Sequence, residues 1–278
     1  MSIRDLLHDA AARLDAAGVD GARTDARILL AHAMGVTRED LIAATRQPVD
    51  EEAALFESFV TRRATREPVA YIRGSREFWS LEFKVGPGVL VPRPETETLI
   101  EQALAAFPDR NTALSIADLG AGSGALLVAA LKEFPNARGT GFERSPEAFA
   151  YAEPNLARHG LAARGRIVAA DWSAADGPFD LILSNPPYIP STDIEDLDPD
   201  VRMFEPRAAL DGGTDGLGAY RDLAGLLPRL LKPGGMALLE LGLGQAEQVE
   251  PLFLGLAVVR VAPDLAGISR VLVLQASK

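Results

Sequence analysis

The chain has 278 residues, 47% hydrophobic and 24% charged, so it has ample apolar material for a sizeable core and is not a disordered polymer. Its 28 Lys plus Arg against 39 Asp plus Glu leave a net charge of −11, a field that repels a phosphate backbone and disfavours non-specific nucleic-acid binding. There is no Cys, the three His (His8, His32, His159) are scattered, and neither an 18-residue uncharged apolar run nor a basic-then-apolar leader is present, so disulfides, a metal and a membrane are not expected and the expected location is cytoplasmic.

Residues 2 to about 73 read as helical. In SIRDLLHDAAARLDAAG, Ser2 is the candidate N-cap, Ile3, Leu6, Leu7, Ala10 and Leu14 share one face, and Gly18 lies just past the end. DARILLAHAMG ends at Gly35, a short helix is capped by Thr37 with Asp40 three residues on, and a fourth starts after Asp50 with a stripe that includes Leu55, Phe59 and Val60. This segment holds 10 basic and 12 acidic residues, so most of the net negative charge belongs to the remainder.

Residues 75–93 change period. Phe78, Leu81, Phe83 and Val85, then Gly86-Pro87-Gly88 and Val89-Leu90-Val91, predict a short β-hairpin at a domain boundary, with Pro92 and Pro94 stiffening its exit. From Pro94, PETETLIEQALAAF reads as a helix. Strand and helix then alternate: ALSIADLG, SGALLVAALKEF, ARGTGFE, a helix from Ser145, RGRIVAAD, FDLILSNPPY, a helix near 218–232, and GMALLELG. That alternation predicts a doubly wound, mostly parallel sheet. AVVRVAPDLAG and SRVLVL are separated by too few residues for a crossover helix, which predicts an antiparallel hairpin at the sheet's end. Pro154 falls inside the helix from Ser145, where it removes a backbone bond at a cost of about 3 kcal/mol, so a kink or break near Ala150 is expected.

Gly120-Ala121-Gly122-Ser123-Gly124 follows a strand and opens a helix, where glycines let the backbone approach a ligand at the positive helix end. Gly120, Gly122 and Ala125 also fit a dinucleotide fingerprint, so the loop alone leaves the cofactor class open. Glu143 ends the next strand and is placed to take both hydroxyls of a ribose. Asp171-Trp172 ends the third, where a carboxylate accepts from an adenine amino group and an indole packs on the ring.

Asn185-Pro186-Pro187-Tyr188 comes directly after an apolar strand, and its prolines fix a rigid exit at the carboxyl end, where open α/β sheets bind ligands. A planar NH2 group is a poor nucleophile until it pyramidalises. The Asn185 side-chain carbonyl and the Pro186 backbone carbonyl suit its two N–H groups, and Tyr188 suits its planar face. With an adenosine-bearing cofactor, no Cys and no metal, the coherent electrophile is the methyl sulfonium of S-adenosylmethionine.

These motifs, together with REFWSLEFKVGPGVLVPRPETE, EPRAAL, GGTDGLGAYR, LKPGG and DLAGISR, resemble the HemK/PrmC family of protein-(glutamine-N5) methyltransferases of peptide chain release factors, from roughly residue 22 to the C-terminus. The resemblance implies a small all-α substrate-docking domain over 1–74 and a β-hairpin linker over 75–93. Over 94–278 it implies a seven-stranded, Rossmann-like α/β methyltransferase domain whose substrate is the Gln of a Gly-Gly-Gln loop. Carried over by position, Gly120, Ala121, Gly122, Ser123, Gly124, Glu143, Trp172 and Asn185 bind the cofactor, with Asp171 beside them. Asn185, Pro186, Pro187 and Tyr188 hold the glutamine. Arg93, Glu95 and Thr96 match the family's PRPET run and are expected at the site entrance. Glu143 stands where family members more often have Asp, one methylene longer but still within reach of ribose.

Two rival readings are weighed against this one, the first within the same chemistry. A nucleic-acid methyltransferase acting on adenine N6 or guanine N2 presents the same planar NH2 to the same clamp. The run STDIEDLDPD after Tyr188, with five acids and no base, argues against it, and the rim from Asp193 to Asp200 is expected to face basic residues of a protein substrate. A rival of another class, a non-catalytic adenosine-binding or assembly module, leaves the rigid Asn-Pro-Pro-Tyr clamp without a purpose.

Overall fold

Leu6, Ala10 and Leu14 recur at helical spacing, and the chain buries all three. The computed structural model describes residues 2–43 and 48–277. It divides into two compact units, Met1–Ser75 with Asp198–Phe204, and Arg76–Leu197 with Glu205–Lys278.

The first unit is helical: α1 (Ile3–Ala16), α2 (Ala22–Ala33), α3 (Arg38–Ala43), α4 (Asp50–Ala64) and α5 (Val69–Arg73). Ser2 and Asp5 form a reciprocal capping box on α1, and the Thr37 hydroxyl accepts the Asp40 N–H at 3.0 Å. Leu14, Leu29, Leu30, Phe56 and Val60 form the core, with His32 stacked on Phe59. The α4 stripe runs through Phe56, Phe59, Val60 and Arg63, whereas Leu55 is 44% exposed, about 100° round the helix from Phe56.

Asp198–Phe204, which includes α9 (Pro199–Phe204), joins this unit through ion pairs. Buried Arg63 binds Asp25 at 2.8 Å and Asp200 at 2.6 Å, while Arg66 binds Asp200 at 2.6 Å, Asp198 at 2.7 Å and the Gly18 carbonyl. Two of the five acids in the expected rim, Asp198 and Asp200, are therefore held by arginines of the helical unit. Glu195 lies 3.5 Å from Arg207, and Asp193, Glu195 and Asp196 are exposed on a 3₁₀ turn.

In the second unit the hairpin pairs β1 (Ser75–Phe78) with β2 (Leu81–Lys84), so its turn is Trp79-Ser80 rather than the expected Gly86-Pro87-Gly88. Both turn residues are left-handed, with φ of 53° and 55°. Carboxylates hold them there: Trp79 N–H donates to Glu97 and its indole to Glu133, each at 2.7 Å. The glycine pair serves contact instead, since a Cβ on Gly86 would lie 2.5 Å from the Tyr151 hydroxyl and one on Gly88 2.6 Å from Glu147 Cβ.

A 3₁₀ turn (Pro94–Thr96) leads into α6 (Glu97–Ala106), and the sheet follows: β3 (Ser115–Leu119), α7 (Ala125–Glu133), β4 (Arg138–Glu143), α8 (Pro146–Arg158), β5 (Gly165–Ala169) and β6 (Phe179–Ser184). It is completed by α10 (Gly218–Leu230), β7 (Leu231–Glu240), α11 (Ala246–Val249), β8 (Ala257–Pro263) and β9 (Ser269–Gln275). Strand order is β5-β4-β3-β6-β7-β9-β8; β3 to β7 run parallel, and β9 is antiparallel to both neighbours. This is the mostly parallel, seven-stranded sheet with a terminal antiparallel hairpin that the sequence predicts.

Strand residues alternate between two cores. Ile116, Leu181, Leu183, Leu238 and Val273 pack with α6, α7 and α8, while Ala117, Ile182, Ala237, Leu239 and Leu272 pack with α10. From β3 the chain builds outward one way through β4 and β5, then returns to build the other way through β6 and β7. The crevice between the carboxyl ends of β3 and β6 is thus the topological switch point, where such sheets bind ligands.

α8 does not break at Pro154 but runs to Arg158. Pro154 and Ala150 sit on the exposed side, so the backbone bond that the proline removes is lost on the helix's solvent face. Buried Asn155 pins the helix's inner face, accepting from Lys84 N–H and donating to the Lys84 and Ser123 carbonyls.

Candidate active site

Beyond Leu119 the chain enters Gly120-Ala121-Gly122-Ser123-Gly124, whose glycines have φ of +85°, +55° and +79°. The Phe142 carbonyl accepts both the Gly120 and Ala121 N–H at 3.0 Å, so the loop folds over the end of β4. Its glycines differ in purpose. A Cβ on Gly122 would meet nothing within 4 Å, leaving that face open, whereas one on Gly124 would lie 3.3 Å from the Ala152 carbonyl of α8. Gly124 therefore serves helix packing.

Glu143 accepts the Gly122 N–H on Oε2 at 2.8 Å and the Ser145 N–H on Oε1 at 2.7 Å. Its greater length relative to Asp spans to the glycine loop, and each oxygen keeps a further lone pair for a ligand. Asp171 accepts the Ser173 N–H at 2.9 Å, capping the 3₁₀ turn Trp172–Ala174, and lies 3.7 Å from Arg144. The half-buried Trp172 ring faces Gly120, where a Cβ would come within 3.4 Å of it.

Ser184 ends β6, and its hydroxyl donates to the Leu119 carbonyl at 2.6 Å, tying the two strand ends together. Asn185 then donates through Nδ2 to Thr96 Oγ1 at 3.2 Å, and Thr96 donates to Glu240 Oε2 at 2.6 Å. The Tyr188 hydroxyl donates to Glu240 Oε1 at 3.3 Å, and Gln245 Nε2 donates to the Tyr188 carbonyl at 2.8 Å. With its NH2 end turned to Thr96, Asn185 keeps its Oδ1 free.

These segments bound a pocket of about 760 Å³, its open mouth included. Gly120, Gly122, Glu143, Asp171, Trp172, Asn185 and Pro187 line it, together with Leu90, Phe142, Pro206 and Ala208. Ala121, Ser123, Gly124, Pro186 and Tyr188 support the loops without lining it. Nor does Arg93: it donates to the buried carboxylate of Glu205 at 2.6 Å, whose other oxygen accepts the Val91 N–H at 3.3 Å. Glu95 is exposed and Thr96 buried. An indole, a phenyl ring and aliphatic walls beside two carboxylates and an open glycine edge fit an adenosine-bearing cofactor.

Two buried acids stand outside the sequence motifs. Asp118 in β3 accepts the Leu127 N–H on Oδ2 at 3.1 Å and leaves Oδ1 without a hydrogen-bond partner. Burial pushes its carboxyl up to about 7, opposed by the Leu127 N–H and reinforced by the charge of Glu143. Glu240 ends β7 as Glu143 ends β4, the same signal of an acid closing an apolar strand. Burial pushes it up to about 7 as well, against the Thr96 and Tyr188 hydrogen bonds and the Arg270 charge. Among the described residues, no group of three or more His, Asp or Glu is placed to hold a metal ion, and no helix is long and apolar enough to cross a membrane.

Residues 5–74 match the PrmC N-terminal domain and residues 96–201 the methyltransferase small domain. A release factor glutamine methyltransferase of Caulobacter vibrioides is 46% identical over 264 residues, covering 93% of this chain and 91% of that protein. One from Cereibacter sphaeroides is 46% identical over 274 residues and covers 97% of both. A methyltransferase of Pyrococcus furiosus superposes with a TM-score of 0.54 at 20% identity, covering 78% of this chain and 99% of that one, which is a likeness of fold.

Proposed function

Because the chain belongs to the release factor glutamine methyltransferase family, whose members match it along almost its whole length, we infer from the pocket how its residues carry out that reaction. The enzyme transfers a methyl group from S-adenosylmethionine to the side-chain amide nitrogen (N5) of a release factor glutamine, that of the Gly-Gly-Gln loop. When bound, the cofactor supplies a methyl group activated by a positive sulfonium. Glu143 would accept the ribose hydroxyls, Trp172 and Asp171 would hold the adenine, and Gly122 would let the backbone lie close to the cofactor.

The glutamine amide docks on the Asn-Pro-Pro-Tyr turn. Asn185 Oδ1 and the Pro186 carbonyl accept its two N–H groups, turning the nitrogen lone pair toward the methyl donor. As the nitrogen pyramidalises and becomes positive, the same two oxygens stabilise it more strongly than in the ground state. The N-methylated cation then sheds one proton to water and becomes the neutral secondary amide. No strong base is required, since an alkylated amide nitrogen is very acidic.

The observation that carries this reading is the anchoring of Asn185 Nδ2 on Thr96, which leaves an acceptor and not a donor for the substrate. Asn185→Ala is expected to lower kcat on intact release factor by about 10²–10³-fold. S-adenosylhomocysteine binding, followed by calorimetry, changes only a few-fold. Wild-type turnover in this variant removes Asn185 from the mechanism. The helical unit docks the body of the release factor, exposed Glu95 meets the segment that carries the glutamine while Arg93 is committed to Glu205, and the substrate is a protein in the cytoplasm. The acidity of the chain supports a protein over a nucleic acid.

A further inference from the structure

We propose that Glu240 is a positioning residue for methyl transfer, which through the Thr96 hydroxyl fixes the Asn185 amide with Oδ1 toward the substrate. An Asn side chain presents an acceptor at one end and a donor pair at the other, and the two are nearly equal in shape. A clamp that must accept two N–H groups therefore works in only one of the two amide orientations.

The choice is made outside the pocket. Glu240 is 1% exposed, and its ionised carboxylate can only accept. Thr96 has one hydroxyl proton and gives it to Glu240 Oε2 at 2.6 Å, a short charge-assisted bond. Toward Asn185 the same hydroxyl then has only lone pairs, so the amide end 3.2 Å away must be NH2. Rotating the amide would set two acceptors against each other. Tyr188 donates to the other oxygen of Glu240, and the Tyr220 hydroxyl donates to the Glu240 carbonyl at 2.8 Å, so one buried acid governs both ends of the Asn-Pro-Pro-Tyr turn.

The same chain of bonds reverses on protonation. With a proton on Oε2, Glu240 donates to Thr96, whose own proton turns toward Asn185 and favours the opposite amide orientation. The groups facing Glu240 are Arg270 from β9, which favours its charge, Glu95 from the 3₁₀ turn, which opposes it, and Tyr188 and Tyr220, both raised by burial beyond the range of the assay. Burial places the carboxyl near 7, so the reversal falls where kcat can be measured.

The proposal rests on Asn185 accepting from the substrate amide, and the test separates the two ideas. Glu240→Gln, Thr96→Val, Thr96→Ser and Asn185→Ala are compared in kcat, KM for intact release factor, S-adenosylhomocysteine affinity, Tm and the pH dependence of kcat from 6 to 9. Thr96→Val is expected to lose about 10-fold or more in kcat, and Glu240→Gln, whose amide can turn either an acceptor or a donor to Thr96, a smaller amount, with cofactor affinity and Tm preserved in both. Thr96→Ser, which keeps the hydroxyl, retains most of the activity. Wild-type kcat falls as pH drops through about 7, and that limb is absent in Glu240→Gln. If Asn185→Ala is impaired while Thr96→Val and Glu240→Gln turn over normally with the acid limb intact, the positioning role is wrong and the reading of Asn185 stands. If Asn185→Ala itself is active, both fall.

Discussion

Replacing Glu143 by Gln keeps the side chain's size and removes its charge. In the native site its two oxygens hold the Gly122 and Ser145 N–H groups at 2.8 and 2.7 Å. Gln supplies one acceptor oxygen and turns an NH2 toward the other N–H, so one charge-assisted bond becomes a donor facing a donor. The loss of such a bond is about 1.5–3 kcal/mol. A comparable loss applies to the ribose diol, which finds one neutral acceptor in place of a carboxylate. The ribose share alone weakens binding by about 10–150-fold. Calorimetric titration with S-adenosylhomocysteine measures it directly, and Tm without ligand reports the share that belongs to the loop. Glu143→Asp is the control: it keeps the charge but withdraws the carboxylate from Gly122, and its affinity should fall between the other two. An affinity for Glu143→Gln within about threefold of wild type, alongside a lowered Tm, refutes the ribose role and leaves Glu143 as a loop brace.

Gly122→Val is expected to abolish cofactor binding while disturbing the core little, because a Cβ there meets nothing in the protein and points into space that a ligand fills, although φ of +55° adds backbone strain; unchanged binding would place the cofactor elsewhere. Arg63→Ala strips Asp25 of its counter-charge and leaves Asp200 with Arg66 alone, so thermal unfolding of the helical unit should show a loss of about 3–5 kcal/mol, and an unchanged Tm contradicts the staple. Asp118 has a folded-state pKa of about 7, above its unfolded value, so the folded protein takes up a proton that the unfolded chain does not; stability should rise as pH falls from 8 to 5, and the difference between wild type and Asp118→Asn should vanish toward the acid end. Neutralising Asp193, Glu195 and Asp196, and leaving Asp198 and Asp200 in their ion pairs, should lower kcat/KM on release factor at low salt and recover as the Debye length drops below about 10 Å; indifference at low salt means that the turn is merely solvated.

The sheet was legible because its strands are buried on both faces and bounded by helices of clear 3.6 period, as in FDLILS between α8 and α10. The terminal hairpin followed from loop length alone. Glu143, Asp171 and Asn185 were legible as polar residues closing apolar strands, and Glu240 carries that same signal. What escaped depends on partners distant in sequence. Nothing in DLDPD shows that Arg63 and Arg66 claim Asp198 and Asp200 from 132 or more residues away. Trp79-Ser80 is an improbable turn by local propensity and exists because Glu97 and Glu133 hold it. Pro154 breaks a helix in isolation, but here it lies on the exposed side and Asn155 anchors the opposite one. Leu55 and Phe56 are neighbours of equal hydrophobicity, and only packing against α2 selects the second.

If the planar NH2 on the Asn-Pro-Pro-Tyr turn belongs to a protein glutamine, a protein alone should take up the methyl group. S-adenosylmethionine carrying a labelled methyl group, offered together with intact release factor, a release factor with Ala in place of the Gly-Gly-Gln glutamine, duplex DNA and ribosomal RNA, tests it most directly. Label is expected on the intact release factor alone, recovered as N5-methylglutamine after digestion and absent with Asn185→Ala. Label on either nucleic acid, or equal label on the release factor that lacks the glutamine, would contradict it.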